Sequence, residues 1–198
     1  MATRAEKTAA TRARILDAAH ELVREGGFYA SSMETLAERA GVTRVTLYRT
    51  FGSRQAVIEG LFWEMLAAAR LDRIDAGHAL PEVHDAVRAV IHAYAEMFDA
   101  LGESMPLALE LARSDPNMRA IMDVTYEGGR RPDAMGRLAG RIVREGAAAP
   151  GWSKKQIADS LMVLSSFEAH DTLVRLRGYT PTKAADFLVK MAGAFLTD

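Results

Sequence analysis

The sequence holds no cysteine in 198 residues. That excludes disulfides and thiolate metal sites, and it fits a reducing cytoplasm. Long apolar runs are missing too. The stretch 161–164 is typical, and nothing approaches the roughly 20 residues that cross a bilayer, so no membrane partner is expected. Arg4, Lys7, Arg12 and Arg14 crowd the N-terminus with no apolar core behind them, so a secretory leader is not expected. No strand alternation and no internal repeat can be found. Catalytic constellations are absent as well: there is no nucleophile elbow, P-loop or carboxylate pair, and Gly26-Gly27 and Gly128-Gly129 read as breaks rather than phosphate cradles. The histidines His20, His78, His84, His92 and His170 form no i, i+4 pair. Glu168 and Asp171 share a helix face from which His170 points away. Neither an enzyme, a cofactor nor a metal is expected.

What remains is helical. Hydrophobic residues make up 49% and charged residues 26%, enough apolar surface for a packed core. Net charge is −1, but residues 1–60 hold nine Lys/Arg against seven Asp/Glu (+2), and the remainder sixteen against nineteen (−3). The asymmetry is small, and its sign suits an N-terminal contact with nucleic acid. Residues 1–10 read as a mobile, mildly basic arm. A first helix is expected over 8–25, with Ile15, Ala18, Ala19 and Leu22 inward. A second begins at Ser31-Ser32, either of which can cap it.

The organising stretch is 37–51, AERAGVTRVTLYRTF. Met33, Leu36, Ala37 and Ala40 line one face of a helix that Gly41 ends. Thr43 caps another carrying Val45, Leu47, Tyr48 and Phe51. Two short helices joined by a glycine turn make a helix-turn-helix, whose second helix enters the DNA major groove. Gly41-Val42-Thr43, then Thr46-Leu47-Tyr48, then Phe51 with Ser53-Arg54, resembles the motif of the TetR family of bacterial transcriptional regulators. The resemblance spans about 11–66.

The expected fold is all-α, with about nine or ten helices. A three-helix head (9–69, motif 32–51) is joined by a long helix 4, running to about residue 74, to a regulatory domain over 70–198. Residues 76–78 read as a loop after that helix. Further helices are expected over 81–101, 104–113, from 116, up to 145, over 153–177, and from 180 nearly to the C-terminus. Whether the chain breaks or kinks near Gly128 and Pro132 stays open.

In the head, Arg44 lies on the first turn, where a guanidinium can fork a guanine edge. Val45 and Thr46 suit a thymine methyl or a base edge, and Arg49 suits base or phosphate. Ser32 and Thr43 can offer phosphate contacts from the caps. The resemblance implies a phosphate contact for Tyr48. It also places Arg54 where the family has a lysine, implying a phosphate contact there and, for Arg54→Ala, a uniform loss of affinity with a flatter salt dependence.

In the regulatory domain, Ile157, Leu161 and Leu164 on one helix, with Leu188, Met191 and Phe195 on the last, are expected as a dimer interface. The resemblance implies that these two helices form a four-helix bundle across a two-fold axis. A methionine-rich region with Met65, Tyr94, Met97, Phe98, Met122, Tyr126, Phe167 and His170 is expected to hold a small, largely apolar effector. The resemblance implies that the effector shifts helix 4 and releases the homodimer from a palindromic operator, so that the protein acts as a repressor. The alternative is a helix-turn-helix protein with no effector, controlled by a partner or by abundance. An all-helical enzyme or ligand carrier is a weaker third reading. Arg44→Ala is expected to cost about 1–3 kcal/mol at one base position and to relax preference there, as read by competition titrations against single-base operator variants.

Overall fold

A computed structural model describes residues 3–28, 30–68, 71–113, 115–123 and 130–197. The described residues form twelve α-helices and a π-helical turn, as expected of an all-α chain. They divide into two compact units, one of residues 1–65 and 103–118, the other of 66–102 and 119–198. The division differs from the expected one at residue 70, because 103–118 belongs with the first unit.

The head unit starts with α1 (Arg4–Arg24). The expected arm over 1–10 is helical from Arg4. Thr3 accepts from the Glu6 amide at 3.2 Å, and the Glu6 carboxylate accepts from the Thr3 amide at 2.7 Å. This reciprocal box meets two otherwise orphaned donors and starts the helix early. Ile15, Leu16, Ala19 and Leu22 carry its buried stripe. Next come α2 (Met33–Arg39), α3 (Arg44–Phe51) and α4 (Arg54–Ala68), the last crossing the unit boundary. The return segment holds α7 (Ser104–Ala112) and the start of α8 (Pro116–Met122). Pro116 opens α8, and the Asp115 carboxylate caps it by accepting from the amides of Asn117 and Met118.

The second unit holds α5 (Leu71–His78) and α6 (Val83–Leu101). It also holds α9 (Arg130–Arg144), α10 (Lys154–Leu164), α11 (Phe167–Asp171), the π-helical turn Thr172–Leu176 and α12 (Pro181–Ala192). Residues 76–78, read as a loop, are helical. Gly77 does not break α5 but lets it approach α6. A Cβ there would lie 3.1 Å from the Val90 nitrogen and 3.2 Å from the Ala89 carbonyl carbon. The helix expected over 153–177 is interrupted at Ser165-Ser166. The Ser165 hydroxyl donates to the Leu161 carbonyl at 2.7 Å, and Ser166 caps α11 through the Ala169 amide. Such local side-chain bonds compete with the helical ladder. The last helix ends at Ala192, and the chain then pairs back, with Ala149 donating to Phe195 and Thr197 to Ala147. The question of a break or kink near Gly128 lies outside the described residues.

Gly77→Ala is expected to lower the unfolding free energy by about 1–3 kcal/mol, because backbone atoms must move. Gly136→Ala, where a Cβ would meet nothing within 4 Å, should leave it unchanged or raise it by up to about 1 kcal/mol. Urea melts of the two variants check the contrast.

Candidate nucleic-acid interface

The turn between α2 and α3 is built from backbone bonds. Gly41 takes a left-handed φ of 61°. The Val42 amide donates to the Ala37 carbonyl at 3.0 Å, and the Gly41 amide to Glu38 at 3.1 Å. This paired closure is a Schellman motif, and it needs a residue without a Cβ penalty at Gly41. Thr43 then caps α3, accepting from the Thr46 amide at 3.1 Å, with the two hydroxyls 2.9 Å apart. Of the two serines that could cap α2, Ser32 does so, accepting from Thr35, while Ser31 bonds back to Phe28.

One face of α3 is anchored by Leu47, which is fully buried. Replacing such a leucine by alanine typically costs about 2–5 kcal/mol, so the helix is held firmly from behind. The other face projects Arg44, Val45, Tyr48 and Arg49 outward, with Val45 75% exposed, while Thr46 is half-buried beside its cap. The Arg44 guanidinium lies 5.5 Å from the centre of the Tyr48 ring and 2.6 Å from the Glu34 carboxylate. Both partners of this ion pair are about half exposed, so it is worth at most about 1 kcal/mol. A forked guanine contact is worth about 1–3 kcal/mol, so a base edge can displace Glu34 without a large cost.

Arg54 is placed differently from the expectation. Its guanidinium donates to the Ser31 carbonyl at 2.6 Å and to the Phe28 carbonyl, and it stacks over the Phe28 ring at 4.4 Å. The fork is spent on carbonyls of the α1–α2 loop, so Arg54 braces the head here. Arg12 covers the Phe51 ring at 5.1 Å in a similar way. Two further charges brace the head: Arg39 pairs with Glu25 at 2.7 Å and holds that carboxyl below its usual range.

In the second unit, Tyr94, Met97, Phe98, Met122, Phe167 and His170 are all buried. Phe98 is the hub, with ring centres at 6.1 Å from Tyr94, 5.6 Å from Phe167 and 5.8 Å from His170. Arg131 lies over Tyr94 and donates to the carbonyls of Met162 and Ser165. Burial pushes the His170 pKa down, with Asp99 and Asp171 opposing, and pushes that of Tyr94 up, with Arg131 opposing. The expected site is thus a packed cluster. Described cavities of about 740, 410 and 710 Å³ in this unit are lined by other residues. Tyr126 and the Met65 side chain lie outside the described residues.

Of the expected dimer residues, Ile157, Leu161, Leu188 and Phe195 are buried within the chain, Leu164 is half-buried, and Met191 is 50% exposed. The helices α10 and α12 are apolar on two sides, and the more continuous stripe packs within the chain. Val163, Leu176 and Phe187 stand exposed with Met191, and the Phe187 ring packs edge-on to Tyr179. Val163 and Phe187 sit off the inward stripe in sequence, which was the signal that could have found them.

Comparisons with known proteins agree with this geometry. Residues 15–61 match the family described as bacterial regulatory proteins, tetR family. The regulator UidR of Escherichia coli K12 is 39% identical over 51 residues, covering 26% of this chain and 26% of UidR. The matched segment thus spans about a quarter of the length of such curated relatives. The fold extends further. SmeT, the repressor of a Stenotrophomonas maltophilia multidrug efflux pump, superposes with a TM-score of 0.67 at 22% identity, over 98% of this chain and 94% of that one. NalD, a secondary repressor of an efflux pump in Pseudomonas aeruginosa, gives 0.66 at 19% identity, over 96% and 99%. These proteins are regulators, not enzymes.

Arg49→Ala should flatten the salt dependence of duplex binding by about one unit of slope. Arg54→Ala should instead lower the melting temperature and leave the slope unchanged, because it removes hydrogen bonds inside the head. Anisotropy titrations across a salt series, beside thermal melts, check both.

Proposed function

With the chain a member of the TetR family of bacterial regulatory proteins, we propose that it is a ligand-responsive transcriptional repressor that binds a palindromic operator as a homodimer. The observation that carries this reading is the outward row of Arg44, Val45, Tyr48 and Arg49 on a helix anchored from behind by Leu47. Arg44 and Thr46 meet base edges, and Tyr48, Arg49, Ser32 and Thr43 meet phosphates or sugars. One such head reads only a few base pairs. Two heads on a two-fold axis read half-sites about 34–36 Å apart, which is why a dimer is required. The dimer face is drawn from Val163, Leu176, Phe187 and Met191, apolar side chains exposed on the single chain that a second copy covers. The protein works in the cytoplasm, where the DNA is.

The effector enters at the cluster around Phe98. His170 supports this placement, since its Nδ1 is buried with no hydrogen-bond partner among the described residues. An unmet buried polar atom costs about 1–3 kcal/mol, which a ligand's polar group would recover. SmeT is known in a complex with triclosan, an example of an aromatic ligand in a protein of this fold. Effector and operator are linked by a coupling free energy, typically about 1–3 kcal/mol, that acts in both directions. The alternative, a regulator with no effector, is favoured by the tight ring packing at the same cluster. A thermal-shift screen with lipophilic phenols separates the two, because a ligand of the folded state raises the melting temperature.

Light scattering should give twice the chain mass, and the double variant Phe187→Glu/Met191→Glu should give the monomer. Anisotropy on duplex DNA from upstream of the chain's own gene should then show that the double variant binds the operator more weakly than the parent. A parent chain that is monomeric at micromolar concentration, or indifferent to that DNA, contradicts the reading.

A further inference from the structure

Helix α9 carries all but one of its arginines on one side, Arg131 being buried on the other. Arg130, Arg137, Arg141 and Arg144 fall on one face of RRPDAMGRLAGRIVR, while Met135, Leu138, Ala139 and Ile142 are buried on the other. Arg141 is committed to structure. Its guanidinium donates to the carbonyls of His78 at 3.0 Å, Leu80 at 2.9 Å and Pro81 at 2.8 Å, and its Nε to Glu145 at 3.2 Å. These bonds fix the segment after α5 beside a cleft of about 740 Å³. The cleft lies wholly within the second unit, and none of its lining residues belongs to the aromatic cluster.

Four cations line the cleft, Arg137, Arg141, Arg144 and Lys154, against two carboxylates, Asp75 and Asp133. Asp75 already sits 3.5 Å from Arg130. Among the described residues no carboxylate lies within ion-pair range of Arg137, Arg144 or Lys154. Gly140 lets the lysine lie across the helix: a Cβ there would be 3.4 Å from the Lys154 Cε and 3.5 Å from Nζ. At Gly136 a Cβ would meet nothing within 4 Å, so the floor is open. His78 stands in the wall with Nε2 buried and unpartnered among the described residues. Burial first, and then the charge of Arg137, holds its pKa below the usual value, with Asp75 opposing. Positive charge thus exceeds negative at this wall, and a concave site concentrates such a field on an incoming anion.

We propose that this cleft binds a small phosphorylated molecule carrying at least two negative charges, with Arg137 and Arg144 forking its phosphate oxygens and the Lys154 ammonium making a further contact. Guanidinium forks match phosphate geometry, and the ammonium acts as a point charge. The volume is that of an organic-ligand site, well beyond what a bare ion needs. Pro132, Ala134 and Leu138 in the lining give the organic part apolar surface. The site is independent of the effector cluster and of DNA binding.

The test is calorimetric titration of the full chain with inorganic pyrophosphate at low salt. The parent should bind saturably. The double variant Arg137→Gln/Arg144→Gln should bind about tenfold more weakly or worse, while Lys190→Gln, an exposed cation on α12, should bind like the parent. The replaced side chains are exposed, so melting temperatures should match; if the double variant melts early, Lys154→Gln supplies the same comparison. Saturating duplex DNA should leave pyrophosphate binding unchanged. Absence of saturable binding by the parent, equal weakening by Lys190→Gln, or no weakening in the cleft variants would overturn the proposal. Displacement by the duplex would also overturn it, by assigning the phosphate to nucleic acid.

Discussion

The left-handed backbone at Gly41 is the constraint on which the head depends. It lets the Val42 amide reach Ala37, turns the chain, and delivers Thr43 in the extended conformation that caps α3. A side chain at Gly41 would be strained whatever space surrounds it. The cap then decides which residues fall on the first turn, and Leu47 decides which face looks outward. Position, orientation and exposure of Arg44 and Arg49 therefore follow from one turn, one hydroxyl and one buried leucine.

How far such logic could be read in the sequence depended on the range of the interaction. Gly41, Thr43 and Leu47 were legible because each acts within four or five residues, where spacing alone states the geometry. The start of α12 at Pro181 was legible for the same reason. Arg54 was not: its partners at Phe28 and Ser31 lie 26 and 23 residues away. Nothing local distinguishes a fork aimed at phosphate from one spent on carbonyls. Gly77 misled because a glycine read as a break serves close helix approach, and the reason sits on Ala89 and Val90 in another helix. Ser165 hid its interruption, since a serine pair inside an apolar run is neutral until its hydroxyls find carbonyls and amides. The stripe of α12 was ambiguous because Leu188 and Phe187 are neighbours on a helix apolar on both sides, and only packing tells core from surface.

The net charge of −1 conceals two separate concentrations of positive charge. One is the outward row of α3, where Arg44 is held by a weak surface pair and a ring, ready to exchange them. The other is the face of α9, where Arg141 is consumed by carbonyls and, among the described residues, Arg137 and Arg144 have no carboxylate within ion-pair range. In both places the chain separates arginines that build from arginines that remain available: Arg54 and Arg141 tie backbone segments together, whereas Arg49, Arg137 and Arg144 stay exposed. Sequence alone ranks these residues equally, and the partner of each guanidinium separates them.

The central claim is that α3 presents a sequence-reading surface. Selection of duplexes from a random pool by the intact protein tests it most directly. The account predicts a palindromic consensus whose half-sites lie one helical turn apart, about 10–10.5 base pairs centre to centre or a multiple of that. Failure to enrich any sequence above the starting pool would contradict it.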